Sequence, residues 1–504
     1  MLILFLAYAI TQSTRSDAGP IPTSIDLRDT ALWDDPNSQR SSWSVIWSCL
    51  STIFLCTWVA IHPNVRFRPE TQGQKWYRSC LWDPLCDFVA YRLVLFAWAL
   101  LVPEYVLAWA VRQYIRAGEI RDSVPGWTIT QGFFVVMGGF HLFQLPADTQ
   151  LPYKTEEISG FVVQAGEQSR RDAVPLCPLE FEDFSDDIYI LDITAPTEIE
   201  LKDRGKSDAL TKIIVLVQTL WFVVQCIARG TQHLPLTELE IVTLAYAMLN
   251  FFIYIFWWNK PRNVECPIRV YKTWMASQEE STDIAKDWED NWAMRWMEQI
   301  FVYTIGMQDK YVALSGECSI PMFWSGRMET DHLAAATLGP AILGSAFGAI
   351  HCIAWSSAFS SRDELLLWRI SCIAMITIPF IVAFFCACAV AMERMKRRRE
   401  RADREPIMER KERKPRVEVK ERKPTPERKE RKPSKPSKLK KMRRSVIEVC
   451  FKSILFLLVV SSFVLYIVSR IITLVMAFTS LRSLPPAALI TVEWTTFIPH
   501  LGSS

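Results

Sequence analysis

Two titratable residues stand inside otherwise apolar runs of this chain, and an ionisable group in such a run is a candidate for chemistry. Glu104 follows Pro103 within Val89 to Val111. A carboxyl beside a helix break suits a proton or cation site, and it suits equally a charge that caps the break and pairs with an arginine such as Arg92 or Arg112. His351 lies in Phe-Gly-Ala-Ile-His-Cys-Ile-Ala-Trp. It has the residue type of a general base in a membrane acyltransferase or of an axial haem ligand, and also that of a hydrogen-bonded packing histidine. Arg470 ends the last apolar run, where snorkelling accounts for it.

Other chemistries lack their residues. The sequence has no Walker loop, no dinucleotide fingerprint after a strand, no nucleophile elbow and no HExxH. Cysteine and histidine spacings of the metal-site kind are missing, so neither a metal nor a cofactor is expected. Of the 13 cysteines, Cys49, Cys56, Cys226, Cys352, Cys372, Cys386 and Cys388 fall in apolar segments and behave as small hydrophobes. Cys80 and Cys86 share a loop and form a disulfide candidate if that loop faces an oxidising compartment. No Asn-x-Ser/Thr sequon occurs.

The elements that position Glu104 and His351 follow from segregation of apolar and charged residues. Half of the 504 residues are apolar and 22% are charged, and the two groups are separated along the chain in the manner of a polytopic membrane protein. Residues 44–61 form a span without charge. Residues 89–111 are either a kinked span or a helix-break-helix element that enters and leaves on one face, because Pro103 removes a backbone hydrogen bond. Residues 112–211 read as a soluble acidic region, with 127–143 as extended structure in it. Residues 212–258 form a transmembrane hairpin, and 259–332 a soluble or interfacial region with a helical pattern over 284–303. Residues 333–392 form a pair of spans, the first with Gly339, Gly344 and Gly348 on one smooth face. Residues 447–469 form the last span and 470–504 a partly apolar tail that lies along the interface or packs back. Leu2 to Ile10 has the length of a signal-peptide h-region without the basic n-region, so residues 1–18 are either a signal peptide or a short apolar N-terminus.

Residues 393–445 hold 25 Lys and Arg against 10 Asp and Glu, which leaves a net charge of −12 elsewhere in a chain of +3. The motif Glu-Arg-Lys-Pro recurs at 412, 421 and 430. Proline at this period prevents a continuous helix, and too few apolar residues are present for a core, so this linker is expected to be disordered. Its basic residues, among them Arg397, Arg398, Arg399, Lys440, Lys441, Arg443 and Arg444, place it on the cytoplasmic side. They offer attraction to anionic lipid; the competing reading is a solubilising insert. Nucleic acid is not an expected partner, since no aromatic residues are interleaved to stack bases. With the linker inside, a re-entrant 89–111 puts the N-terminus outside and every basic loop inside, which satisfies the positive-inside rule best.

Several stretches carry a family resemblance: Trp47-Ser48-Cys49-Leu50 through Cys56-Thr57-Trp58 to His62-Pro63-Asn64; Gly205-Lys206-Ser207-Asp208-Ala209-Leu210 through Gln225-Cys226-Ile227-Ala228-Arg229; Trp257-Trp258-Asn259-Lys260-Pro261; Phe347 to Trp355; and Leu481-Arg482-Ser483-Leu484-Pro485 with Ile498-Pro499-His500. Together they resemble a family of uncharacterised multi-pass membrane proteins of filamentous fungi. The resemblance implies an integral membrane location and brings no activity with it; the basic repeat lies outside the resembling stretches. The expected fold is therefore an all-α membrane bundle of six or seven transmembrane helices with small cytoplasmic regions and a disordered basic linker. The expected function is transport or membrane organisation. The alternatives are a membrane-embedded lipid-modifying transferase using His351 and a seven-span receptor.

Overall fold

The computed structural model describes residues 39–67, 85, 88–146, 157–158, 161–162, 167–184, 188–204, 208–262, 264, 266–272, 309, 312–328, 332–357, 359–412 and 438–494. The leader 1–18, the pair Cys80 and Cys86, and the helical pattern over 284–303 lie outside them.

Apolar runs become helices where proline and glycine permit. Helix α1 (Ser42–Phe54) is N-capped by the Ser41 hydroxyl, which accepts from the Ser44 amide, and continues as a wider turn to Val59. A turn over Phe88–Leu93 leads into α2 (Val94–Leu101), and Pro103 then opens α3 (Pro103–Ser123). The chain bends by 107° between the two. Helix α4 (Ile129–Val136) follows, then α5 (Asp208–Thr231), α6 (Glu238–Trp257), α7 (Leu333–Ile350), α8 (Arg362–Glu412) and α9 (Lys438–Thr479). Six helical stretches among the described residues are long and apolar enough to cross a membrane: Ser42–Val59, Leu210–Thr231, Glu238–Trp257, Ala335–Ala354, Arg362–Cys388 and Phe456–Ser483. The bent pair is the seventh candidate.

Contacts order the two ends of this bundle. At one end the start of α7 meets the end of α3, with His332 Nε2 3.7 Å from a Glu119 carboxylate oxygen. Lys212, near the start of α5, donates to the Trp258 carbonyl just past α6. Arg92 shares a cleft with Ile61 and Pro63, so both arms of the bent pair leave the bundle at this same end. The charged continuation of α8 and the start of α9 belong to it too, and it is called the basic end below. At the opposite end Arg40 forms an ion pair with Glu240, while Arg40 Nε and Arg229 Nη2 both donate to the Ala488 carbonyl, at 2.9 and 3.0 Å. Residues 39 and 490 form a lone β-bridge there.

A five-stranded sheet lies at the basic end in the order β2-β3-β5-β1-β4. Its strands are β1 (Phe140–Gln144), β2 (Glu157–Ile158), β3 (Phe161–Val162), β4 (Val174–Pro178) and β5 (Ile268–Lys272). β1 and β5 run parallel with Phe140 opposite Ile268, and the other pairings are antiparallel. Segments 112–211 and 259–332, expected to be separate regions, thus share one sheet.

Four expectations change. Residues 127–143 are not extended throughout. Thr128 and Gln131 cap a helix, which ends where Gly138 takes a left-handed φ of 87° suited to glycine, and only 140–144 is strand. Residues 112–123 belong to α3, whose Arg112, Gln113, Arg116, Ala117 and Ile120 are buried. The basic linker is helical through Glu412 and again from Lys438, because Arg, Lys, Glu and Met are strong helix formers and α8 supplies the nucleus. Arg397, Arg398, Arg399, Lys440, Lys441, Arg443 and Arg444 sit on these extensions; residues 413–437 lie outside the described ones. Finally, residues 470–479 continue the last span and complete α9, and of the two readings of the tail it is the packing back that holds for residues 486–493, which cross the opposite end of the bundle.

Replacing Glu240 with alanine leaves Arg40 and the buried Arg229 without their carboxylate. Breaking a buried ion pair costs on the order of 3–5 kcal/mol. Glu240→Ala is expected to lower the unfolding midpoint of the full chain in detergent accordingly, and an unchanged midpoint refutes the closing role of this pair.

Candidate functional site

The break between α2 and α3 creates the central site. Pro103 has no N–H, so the helix cannot continue its ladder, and the last carbonyls of α2 need donors from elsewhere. Leu100 is such a carbonyl. It accepts from the Tyr246 hydroxyl of α6 and, at 3.4 Å, from Arg470 Nη2 of α9. A cation at a helix C-terminus is favourable as well, since the peptide dipoles leave partial negative charge there.

Arg470 is completely buried, so the snorkelling expected of it is overturned. Its Nη2 donates to Tyr246 Oη at 2.6 Å, and its Nη1 lies 3.4 Å from His351 Nε2 and 3.6 Å from Met375 Sδ. The guanidinium also lies over the Phe347 and Tyr246 rings, 4.4 and 5.2 Å from their centroids. His351 Nδ1 donates to the Phe347 carbonyl at 2.9 Å, which leaves Nε2 as the acceptor for Arg470. The His351 carbonyl in turn accepts from Trp368 Nε1. The imidazole is fully buried and both its nitrogens are engaged.

Glu104 sits in the first turn of α3, where the helix dipole favours a carboxylate. One oxygen accepts from Tyr466 Oη at 2.5 Å, and Tyr466 stands one turn before Arg470 on α9. Arg470 is its cationic neighbour. The expected pairing with Arg92 or Arg112 is therefore corrected: Arg112 Nε donates to the Ala108 carbonyl, and its electrostatic partner is Asp309. Gly344 of α7 admits the carboxyl, since a Cβ there would meet Glu104 Cγ at 2.8 Å. Glu104 and His351 thus belong to one cluster, joined through Arg470, Tyr246 and Tyr466. Sequence reading omitted the two tyrosines; the available signal was Tyr466 and Arg470 at helical spacing in an otherwise apolar run.

A cavity of about 150 Å³ adjoins Glu104, bounded by α3, α7, α8 and α9. Pro340 and Pro379, within α7 and α8, are both on its wall. It extends from Val102 and Glu104 to Arg112, Ala336 and Cys386, toward the basic end.

A second buried cation organises the basic end. Lys260 follows α6 and is 1% exposed. Its Nζ donates to the His62 carbonyl at 2.5 Å, to Gln113 Oε1 at 2.8 Å and to Asn64 Oδ1 at 3.3 Å, and lies over the Trp109 and Trp257 rings. Burial pushes its pKa well below the ordinary lysine range, yet three acceptors are the full complement of an ammonium. Burial and the nearby Lys212 and Lys260 hold the His62 imidazole well below its usual value, so it is neutral and Nδ1 donates to the Ala60 carbonyl. Gln113 and Trp109 also donate to the Trp324 carbonyl, which ties the loop before α7 to α3. Among the described residues no group of three or more His, Cys, Asp or Glu is placed to hold a metal ion.

The sequence profile of a group described as Family of unknown function (DUF8562) matches residues 17–280, and the chain belongs to that family. The match contains Glu104, Arg112, Tyr246 and Lys260; His351, Tyr466 and Arg470 lie beyond it. No curated protein and no solved structure matches the chain.

Asp309 accepts from the Ser325 amide at 3.1 Å and from the Ser325 hydroxyl. Burial pushes its carboxyl from 3.8 up to about 6, against the pull of Arg112 and Ser325. A carboxyl raised in the folded state contributes stability that is complete below the unfolded value and is lost as pH rises through the folded one. Relative to Asp309→Asn, the wild type is expected to lose on the order of 3 kcal/mol between about pH 4 and 6, with no further change to pH 8. Melting of both proteins in detergent across that range checks it; parallel pH profiles refute it.

Proposed function

We propose that this chain is a multi-pass integral membrane protein acting as a carrier for a small polar solute, with Glu104 as its proton-handling group. The supporting observation is a buried charge cluster at a helix break, opening onto a cavity. Carriers bind where interrupted helices turn their ends toward each other near the bilayer midplane, because broken backbone is tolerated there only when buried or lining a cavity. Titratable side chains in such a place are costly and are retained for ion and proton pathways.

In this reading six helices cross the bilayer, and the bent pair α2–α3 is re-entrant from the basic end, which faces the cytoplasm. The N-terminal and C-terminal segments then face outward, and the sheet is cytoplasmic. Exposed Trp43, Trp47 and Trp258 fall near helix ends, as interfacial anchors do. Lys440, Lys441, Arg443 and Arg444 at the start of α9, with Arg397, Arg398 and Arg399 on α8, would lie beside anionic lipid, each contributing about 1 kcal/mol near the surface. The transferase reading needs His351 open to a substrate, and the enclosure of its ring disfavours that role.

Two measurements test the proposal. For sidedness, a membrane-impermeant thiol reagent applied to intact cells is expected to leave Cys80, Cys86, Cys266 and Cys318 unmodified and to label Ser483→Cys. Labelling of Cys266 from outside overturns the orientation. For transport, the purified protein in sealed vesicles is given amino acids, amines, carboxylic acids and sugars in turn, and internal pH is followed with a dye. One solute class is expected to drive proton entry through the wild type and not through Glu104→Gln, which keeps its melting temperature. No response to any class, or an undiminished response in Glu104→Gln, overturns the carrier assignment.

A further inference from the structure

The cavity beside Glu104 has two chemically different ends. Its walls are mostly apolar, with Ala341, Ile378 and Phe463 among them. Glu104 and Arg112 both lie on its wall, and one polar atom of each, Oε2 and Nη2, is enclosed and makes no hydrogen bond. The two residues are 8% and 6% exposed. A buried polar atom without a partner is costly, by about 1–3 kcal/mol and more when charged, so each is poised to accept one.

Their spacing restricts what fits. The Arg112 side chain turns back along α3, with Nε bonded to the Ala108 carbonyl at 3.3 Å, so its guanidinium is held toward Glu104. Residues 104 and 112 are eight apart, or about 12 Å along the axis at the rise of an α-helix, and the turned-back side chain shortens the gap to between about 6 and 12 Å. An ammonium and a carboxylate on one carbon are about 3 Å apart by standard bond lengths. A hydrogen bond of about 2.8 Å at each end gives a reach of about 8–9 Å, which falls within that range.

Charge balance points the same way. Glu104 already has Arg470 as its counter-charge, and Arg112 has Asp309. A ligand with a net charge would leave one buried charge uncompensated, whereas a zwitterion adds none. The cavity volume is comparable to one that accepts benzene, which suits a hydrocarbon side chain between the polar ends.

We infer that this cavity binds an α-amino acid with an apolar side chain, its ammonium on Glu104 and its carboxylate on Arg112. The inference names the solute class of the proposed carrier; it rests on that reading for transport and on the cavity alone for binding.

Calorimetric titration of the full chain in detergent with L-phenylalanine, L-leucine, phenethylamine and 3-phenylpropionate tests it. At least one amino acid is expected to bind the wild type, with the single-charge analogues at least tenfold weaker. Glu104→Gln and Arg112→Gln are each expected to weaken it at least tenfold. Ala341→Leu, which fills the cavity and touches neither charge, is expected to abolish binding with an unchanged or higher melting temperature. No saturable heat from either amino acid, equal binding of a single-charge analogue, or full binding by Ala341→Leu overturns the inference. If both amino acids fail to bind while the solute panel still drives proton entry, the zwitterion site falls and the carrier stands. If one binds and no solute drives proton entry, the carrier falls and the site stands.

Discussion

The Arg470 guanidinium is the contact on which the centre of the bundle depends. A helix interrupted inside an apolar bundle leaves carbonyls that no water reaches, and each unsatisfied one carries a desolvation cost. Arg470 meets that demand at Leu100 together with Tyr246, and in doing so places a full charge in the same apolar surroundings. The charge is tolerated because a hydroxyl, a carbonyl, an imidazole nitrogen, two aromatic faces and a nearby carboxyl share it. Those partners come from α2, α6, α7 and α3, so satisfying one side chain fixes α9 against four other elements. The bend and the arginine each make sense only with the other present.

Enclosed cations along the bundle are accommodated in different ways. Glu240 answers Arg40 and Arg229 with a carboxylate at the opposite end. Arg470 relies on dipoles and rings at the centre, and Lys260 on three oxygens and two indoles at the basic end. An ammonium held by neutral groups ties together segments that an ion pair could not: the end of α1, the middle of α3 and the end of α6 all contribute an acceptor or ring to Lys260. The cavity next to Glu104 is therefore framed on one side by α3, held at both ends, and on the other by α7–α9.

Apolar run length and proline position made the helices and the break legible in the sequence, since both are local properties. Pro103-Glu104 marked the bend, and Glu104 and His351 were recognisable from their unusual surroundings. An arginine at the edge of an apolar run, as Arg470 is, has two physical solutions, the water boundary and a buried partner set; only tertiary contacts choose between them. Tyr246 and Tyr466 are ordinary residues in apolar helices until the arginine and carboxyl arrive beside them. The strand Phe140–Gln144 pairs with Ile268–Lys272 across more than a hundred residues, a parallel register that no local pattern announces. The helical extension to Glu412 passes through the single Pro406 and stops before Pro415, where proline begins to recur every nine residues.

The pairing of Arg40 with the Ala488 carbonyl spans 448 positions of chain. During synthesis at about 5–20 residues per second, Arg40 precedes its acceptor by roughly 20–90 seconds. Glu240 and Arg229 emerge within that interval, so the ion pairs can form early, while Arg40 Nε and the Arg229 Nη groups wait for the returning C-terminal segment. The opposite end therefore cannot close before residues 488–490 are made, and until then Arg40 Nε and Arg229 Nη1 lack the carbonyls they bond in the folded chain.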